Sequence, residues 1–336
     1  MNILITGGAG FIGINAVSYF LKRKHHVVVF DNFSRPGTRE NILWVKSHHK
    51  EKIDVIEGDI RTDTDELSTI VARVDVVIHL AGQVAVTTSV KDPRVDFEIN
   101  ALGTFNVLEV VRKSKNRPIF IYSSTNKVYG ALNDLDIKEN KTRYAFGRLK
   151  YGISESHMLD FYSPYGCSKG TADQYVHDYS RIYDLKTIVF RQSCIYGPHQ
   201  YGIEDQGWVA WFIIALMKRK KLTIYGNGKQ VRDLLYVEDL LRAYEQAIEH
   251  INSTKGQIYN IGGGYKNTLS IWFEFRHVLE QLFNRKITAS FSDWRPGDQP
   301  IYISDIRKAE QDFNWKPRVS IQQGMPLLYE WIRKNI

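Results

Sequence analysis

Cysteine is nearly missing from the 336 residues: only Cys167 and Cys194 occur. Two thiols are too few for a thiolate metal site or a secreted disulfide framework, so no metal is expected and a reducing compartment, the cytoplasm, is. Long apolar runs are missing too. The longest, Trp208 to Met217, falls short of the roughly 20 residues a bilayer-spanning helix needs. At the N-terminus the apolar Ile3-Leu4-Ile5 follows Met1-Asn2 directly, which leaves no charged region for a signal peptide. Acidic residues are in deficit, 37 against 45 basic, for a net charge of +8. That excess draws in anions such as nucleotides, diphosphates or nucleic acid. The basic clusters Lys22-Arg23-Lys24 and Lys218-Arg219-Lys220-Lys221 follow apolar helical stretches, where cations complement the negative helix end. Neither a nucleic-acid nor a membrane partner is therefore expected.

Apolar residues make up 43% and charged residues 24% of the chain, ordinary values for a globular protein. Short β-branched runs at Asn2–Thr6, His26–Phe30, Ile53–Glu57, Asp75–Leu80, Pro118–Ser123 and Lys186–Arg191 alternate with longer helical patterns. Several are continuously apolar, as in a parallel sheet covered by helices on both faces. The expected fold is α/β, a Rossmann-type doubly wound parallel sheet with a smaller C-terminal substrate-binding lobe. After Arg191 the elements shorten and Gly-rich turns multiply. The expected division is a cofactor domain over 1–190 with a return segment at about 233–262, and a lobe over 191–232 and 263–336. Residues 133–163 lack sustained periodicity and read as a long loop.

Gly8-Ala9-Gly10-Phe11-Ile12-Gly13 fits G-x-G-x-x-G, preceded by Gly7. Chance alone gives about 0.12 such matches in a chain of this glycine content, so context carries the argument. The glycines follow a strand and open an apolar helix, whose free N–H groups and dipole hold a pyrophosphate. Asp31 ends the next strand, where a carboxylate accepts hydrogen bonds from the adenosine ribose and repels a 2′-phosphate, favouring NAD over NADP. Asp59 and Ile60 at a strand end flank the adenine or merely form a turn. Leu80-Ala81-Gly82 offers close backbone approach with the same alternative. Phe11, Ile12, Asn32 and Ser123 complete the expected cofactor site.

Tyr165-x-x-x-Lys169 is the candidate proton-transfer pair. With 19 tyrosines, about 1.4 such spacings arise by chance. Tyr225 and Lys229 match as well, but Gly226-Asn227-Gly228 between them disfavours a helix. Ser163 can cap and Pro164 open a helix through Tyr183, which sets Tyr165 and Lys169 one turn apart on one face. A phenol must drop by roughly 3 pKa units to be a base near neutrality. The Lys169 ammonium, the nicotinamide charge and the helix N-terminus are expected to supply that drop. Thr125, at the carboxyl end of its strand, can align the reacting hydroxyl.

Gly7–Gly13, Asp31, Ser124-Thr125, Tyr165 and Lys169 together resemble the extended short-chain dehydrogenase/reductase family over nearly the whole chain. Ser123–Gly130 (SSTNKVYG), Pro164–Gly170 and Asp205–Val209 are similar to the branch that inverts carbon 2 of CDP-hexoses. The resemblance implies an isomerase that uses NAD catalytically on a nucleotide-diphosphate sugar. It implies Thr125, Tyr165 and Lys169 as catalytic residues, with Ser124, Thr125, Asn126, Lys229, Arg232 and Arg295 at the substrate. Arg232 and Arg295 would hold the diphosphate, or else form salt bridges to Asp233 or Asp298. Asn100 matches a framework asparagine or is a helical surface residue. Trp208, Tyr196 and His199 line the pocket or pack. A homodimer or homotetramer is implied, with Asn100–Lys113 and Tyr165–Tyr183 as candidate interface helices. Three readings stay open at this point: CDP-hexose 2-epimerase, UDP-sugar 4-epimerase and non-catalytic NAD-binding protein. A 4,6-dehydratase is disfavoured because Asn126 and Lys127 stand where acids would follow the threonine.

Overall fold

A computed structural model describes residues 1–49 and 53–336. In chain order the first half runs β1 (Asn2–Thr6), α1 (Phe11–Lys22), β2 (His26–Asp31), α2 (Thr38–His48), β3 (Ile53–Glu57), α3 (Thr64–Val71), β4 (Val76–His79), α4 (Val86–Lys91), α5 (Pro93–Phe97), α6 (Gly103–Lys113) and β5 (Ile119–Thr125). The short strands β6 (Ile137–Glu139) and β7 (Tyr144–Phe146) precede α7 (Ser163–Tyr183), β8 (Thr187–Gln192) and β9 (Cys194–Tyr196). Then come α8 (Trp208–Met217), β10 (Leu222–Tyr225), β11 (Val231–Tyr236), α9 (Val237–Glu249) and, beyond a short turn of helix, β12 (Gln257–Ile261).

Seven strands form one sheet in the order β12-β8-β5-β4-β1-β2-β3. Every pairing is parallel: Ile3 sits beside both Val27 and Val76, and Ser124 beside Arg191. The chain winds outward in both directions from β1, so the crevice between β1 and β4 opens at the strands' carboxyl ends, where such sheets bind ligands. Their apolar runs are buried on both faces. Ile3, Ile5, Val27 and Val29 pack under α1 and α9, while Leu4, Val28, Val77 and Phe120 pack under α3, α6 and α7. The sheet's last strand, β12, comes from the return segment after α9.

The remaining strands build a second layer. Strand β10 pairs with Ala289–Ser292, and β11 pairs with β9, Thr268–Ser270 and Ile301–Tyr302. Helix α8 is apolar nearly all round and buries Val209, Phe212, Ile213 and Leu216 in this layer, the placement expected of such a helix. The longest apolar run is thus a core helix. Among the described residues no helix is long and apolar enough to cross a membrane.

Residues 133–163 are not wholly irregular, contrary to the expectation of a long loop. The antiparallel hairpin β6–β7, Ile137 opposite Phe146, stands within them. It has only three residues per strand, too short to show a period in sequence.

Candidate active site

Two cavities of about 380 Å³ each lie along the carboxyl edge of the sheet. They meet at Phe11, Ile12, Leu80, Gly82, Val84 and Ser123, which line both. The first is shaped by the β1–α1 turn. A Cβ on Gly7, whose φ is 68°, would lie 2.6 Å from the Ala81 nitrogen, and one on Gly13 would lie 2.2 Å from the Gly7 carbonyl oxygen. Glycine is required at both because the backbones of β1, α1 and β4 touch there. The first intrahelical bond of α1 runs from Ile14 N–H to the Gly10 carbonyl, leaving the N–H groups of Phe11, Ile12 and Gly13 to the cavity these residues line.

Asp31 ends β2 at this cavity. Its carboxylate accepts from Ala9 N at 3.0 Å and Phe33 N at 2.9 Å. Burial raises its pKa and these two donors oppose that rise. Each oxygen keeps a lone pair for a ribose hydroxyl. Asn32, Asp59, Ile60, Leu80, Ala81 and Gly82 also line the cavity. The Asp59 carboxylate is already occupied by Arg61 at 3.0 and 2.8 Å and by Asn32 at 3.1 Å. The Arg61 bond leads in drawing its pKa down to about 2. A glycine cradle, helix N–H groups and a ribose-facing carboxylate fit a dinucleotide. The residues supply no equivalent cradle for a metal: among the described residues no cluster of His, Cys, Asp or Glu could hold one.

Tyr165, Lys169 and Thr125 meet in the second cavity, beside Ser123 where the two join. Helix α7 buries the stripe Tyr165, Lys169, Ala172, Asp173, Val176 and Tyr179 against the sheet, a 3.6-residue period. Ser163, at φ 77°, accepts the Gly166 N–H on its hydroxyl at 3.2 Å ahead of Pro164, which fixes where the helix begins. Lower down, Arg191 of β8 grips Asp173 with bonds of 2.9 and 2.8 Å, both side chains being almost fully buried. Ser124 Oγ also donates to Asp173, at 2.7 Å. The sheet and α7 are thereby locked in register.

The electrostatics differ from the sequence expectation. Tyr165 is not lowered: burial pushes the phenol up to about 12, with Asp96 adding to the rise and Thr125 and Arg35 opposing it. Burial likewise brings Lys169 down to about 7, opposed by Asp173 and Asp96. Its Nζ donates to the Ser123 carbonyl at 2.6 Å and lies 4.3 Å from the centre of the Tyr122 ring. Desolvation leads both shifts, because the two side chains are almost wholly buried.

Of the expected substrate residues, Ser124, Asn126, Arg232 and Arg295 line the second cavity. Arg232 lies 3.8 Å from Asp298. Arg295 pairs with Asp205 at 3.0 Å, donates to the Glu204 carbonyl and stacks on Tyr225. Lys229 stands apart from the lining, its Nζ on Glu139 at 2.7 Å. Trp208 lines the cavity, whereas Tyr196 is core and His199 packs between Trp44 and Trp331. Asn100 is buried in a single π turn, Glu98–Leu102, donating to the Gln83 carbonyl and Asp96.

Sequence reasoning missed several residues of the site. Arg35 lines the first cavity and hydrogen-bonds Gln206, which lines both. Asp96 is buried and acts on both Tyr165 and Lys169. Lys127 lines the second cavity and donates to the Gly297 carbonyl at 2.8 Å. Burial first, then Arg232, draws its ammonium down to about 8. Only the Thr-Asn-Lys run hinted at any of these.

The GDP-mannose 4,6 dehydratase family model matches residues 4–327. The chain is 43% identical to CDP-paratose 2-epimerase of Salmonella typhi over 98% of this chain and 99% of that one. The crystal structure of UDP-glucuronic acid 4-epimerase from Bacillus cereus, in complex with UDP-glucuronic acid and NAD, superposes with a TM-score of 0.86 at 30% identity, covering 100% of both chains. That of dTDP-glucose 4,6-dehydratase from Streptomyces venezuelae, with NAD bound, gives 0.85 at 27%, over 100% of this chain and 98% of that one.

Proposed function

Because the chain belongs to the GDP-mannose 4,6-dehydratase family, and with it to the extended short-chain dehydrogenase/reductases, we propose that it is an NAD-dependent isomerase inverting carbon 2 of a CDP-hexose, converting CDP-paratose to CDP-tyvelose through a transient 2-keto sugar. Full-length likeness to a CDP-paratose 2-epimerase is the one observation that carries the choice of base and carbon. Asn126 and Lys127 add support, since elimination of water would need a carboxylic acid after Thr125.

Gly7, Gly10, Gly13, the N–H groups of Phe11 and Ile12, Asp31 and Lys169 would hold NAD. When bound, NAD supplies a hydride acceptor and donor that is not consumed over a cycle. Tyr165 takes the carbon-2 hydroxyl proton and returns it once the planar ketone has presented its other face. Thr125, which opposes the rise of the Tyr165 phenol, orients that hydroxyl. Arg232 and Arg295 hold the diphosphate as guanidinium forks. Val84, Val86, Trp208 and Phe212 in the wall keep water from the ketone.

We place the enzyme in the cytoplasm, which its two free cysteines support. Exposed Phe97, Leu102, Tyr175 and Ile182 along α5–α7 support self-association through these helices.

Incubation of the purified protein with CDP-paratose, CDP-glucose and UDP-glucose, followed by product NMR, tests the reading. Inversion at carbon 2 of a CDP-hexose is expected. Inversion of UDP-glucose at carbon 4 alone, or a stable 4-keto-6-deoxy product, would replace it.

A further inference from the structure

Lys127 lies two residues beyond Thr125, in the turn Asn126–Tyr129 that follows β5. Instead of reaching solvent, its ammonium crosses to the loop that carries Arg295 and bonds the Gly297 carbonyl at 2.8 Å. Two further contacts join the same segments. Asn126 Nδ2 donates to Gln299 Oε1 at 3.4 Å, and Gln299, fully buried, donates to the Gly130 carbonyl. The Arg295 loop is also fastened to the strand that carries Arg232, through Val231 N–H to the Pro300 carbonyl at 2.9 Å. Both guanidinium groups facing the second cavity are therefore tied to the turn after β5, and of the ties Lys127, which lines the cavity beside Asn126, is the charged one.

Resting on the epimerase reading, we infer that Lys127 is a positioning residue that selects the reacting carbon, by holding the diphosphate-binding loop close against the turn that carries Thr125. In a nucleotide sugar the diphosphate is attached to carbon 1. Carbon 2 is bonded to that carbon, whereas carbon 4 lies across the ring. The separation between diphosphate clamp and proton-transfer site therefore decides which hydroxyl meets Tyr165, and oxidation at carbon 2 needs the shorter one. A cation bridging the two segments shortens it. A carboxylate here would repel the Gly297 carbonyl and release the loop.

The test is steady-state kinetics and product NMR of Lys127→Met and Lys127→Arg on CDP-paratose, with CDP binding measured separately. In Lys127→Met, kcat is expected to fall about 100-fold, the scale of an ångström-sized misplacement, while CDP binds within about threefold of wild type. Lys127→Arg, which keeps a donor for Gly297, is expected to recover about tenfold of that loss. Should Lys127→Met fail to fold, Gln299→Met loosens the same junction from outside the cavity and is expected to lower kcat while sparing CDP binding. Unchanged kcat in the folded variants would overturn the inference, and so would a loss confined to KM that tracks weakened CDP binding. A wild-type enzyme that never inverts carbon 2 would instead overturn the epimerase reading itself.

Discussion

In the proposed reaction Tyr165 must give up and regain a proton near neutral pH. Its phenol is raised to about 12 by burial, so the proton leaves only when cationic charge arrives beside it. Replacing it with Phe keeps the ring packed and removes the one atom that exchanges the proton. Tyr165→Phe is expected to retain NAD through purification while turnover falls at least about 1,000-fold. Nucleotide absorbance together with product formation checks this, and turnover within tenfold of wild type would move the base elsewhere. Legibility in sequence follows the range of each constraint. Gly7, Gly13 and Asp31 are set by local geometry at one strand–helix turn and could be read directly. The direction of the Tyr165 shift could not be read, because it is set by burial under segments distant in sequence. Lys127 makes its bond 170 residues away in sequence, and its type signalled nothing about that partner.

At the scale of elements, the parallel strands were legible because apolar runs buried on two faces leave a continuous signature. Observed and expected bounds differ by at most two residues at any strand end, and β1 and β3 agree at both ends. The β6–β7 hairpin and the π turn around Asn100 left no trace, being too short for any period. One buried ion pair helps fix how α7 meets the sheet. Asp173 and Arg191 are buried together, so removing the carboxylate strands a guanidinium in the core. Asp173→Ala is expected to lower unfolding stability by about 3–5 kcal/mol. A urea titration measures it, and a loss under about 1 kcal/mol would show that the Asp173–Arg191 pair does not hold α7 to the sheet. Arg191 was readable only as an anomaly, a charged residue inside the apolar strand Thr187–Gln192.

Across the whole molecule, two imidazoles are kept neutral in the fold. Burial draws His79, between the Thr6 and Thr104 hydroxyls, down to about 3, and His199 down to about 4. The unfolded chain protonates both near pH 6.5 and the folded chain does not. Stability present above that pH is therefore lost as the pH falls from about 6.5 toward 4, by about 3 kcal/mol from His79 alone. Thermal unfolding between pH 7 and 4 measures the slope. His79→Gln, which cannot take up that proton, is expected to flatten it by about one proton. An unchanged slope in that variant would assign the acid sensitivity to other groups.

The two cavities, the phenol at their junction and the guanidinium groups beyond it converge on one chemical event, internal return of hydrogen to the carbon that lost it. Turnover of CDP-paratose deuterated at carbon 2, followed by NMR of the product, observes that event directly. The expected product is inverted at carbon 2 and still carries the deuterium there. Inversion with loss of the label to solvent, or inversion at any other carbon, would contradict it.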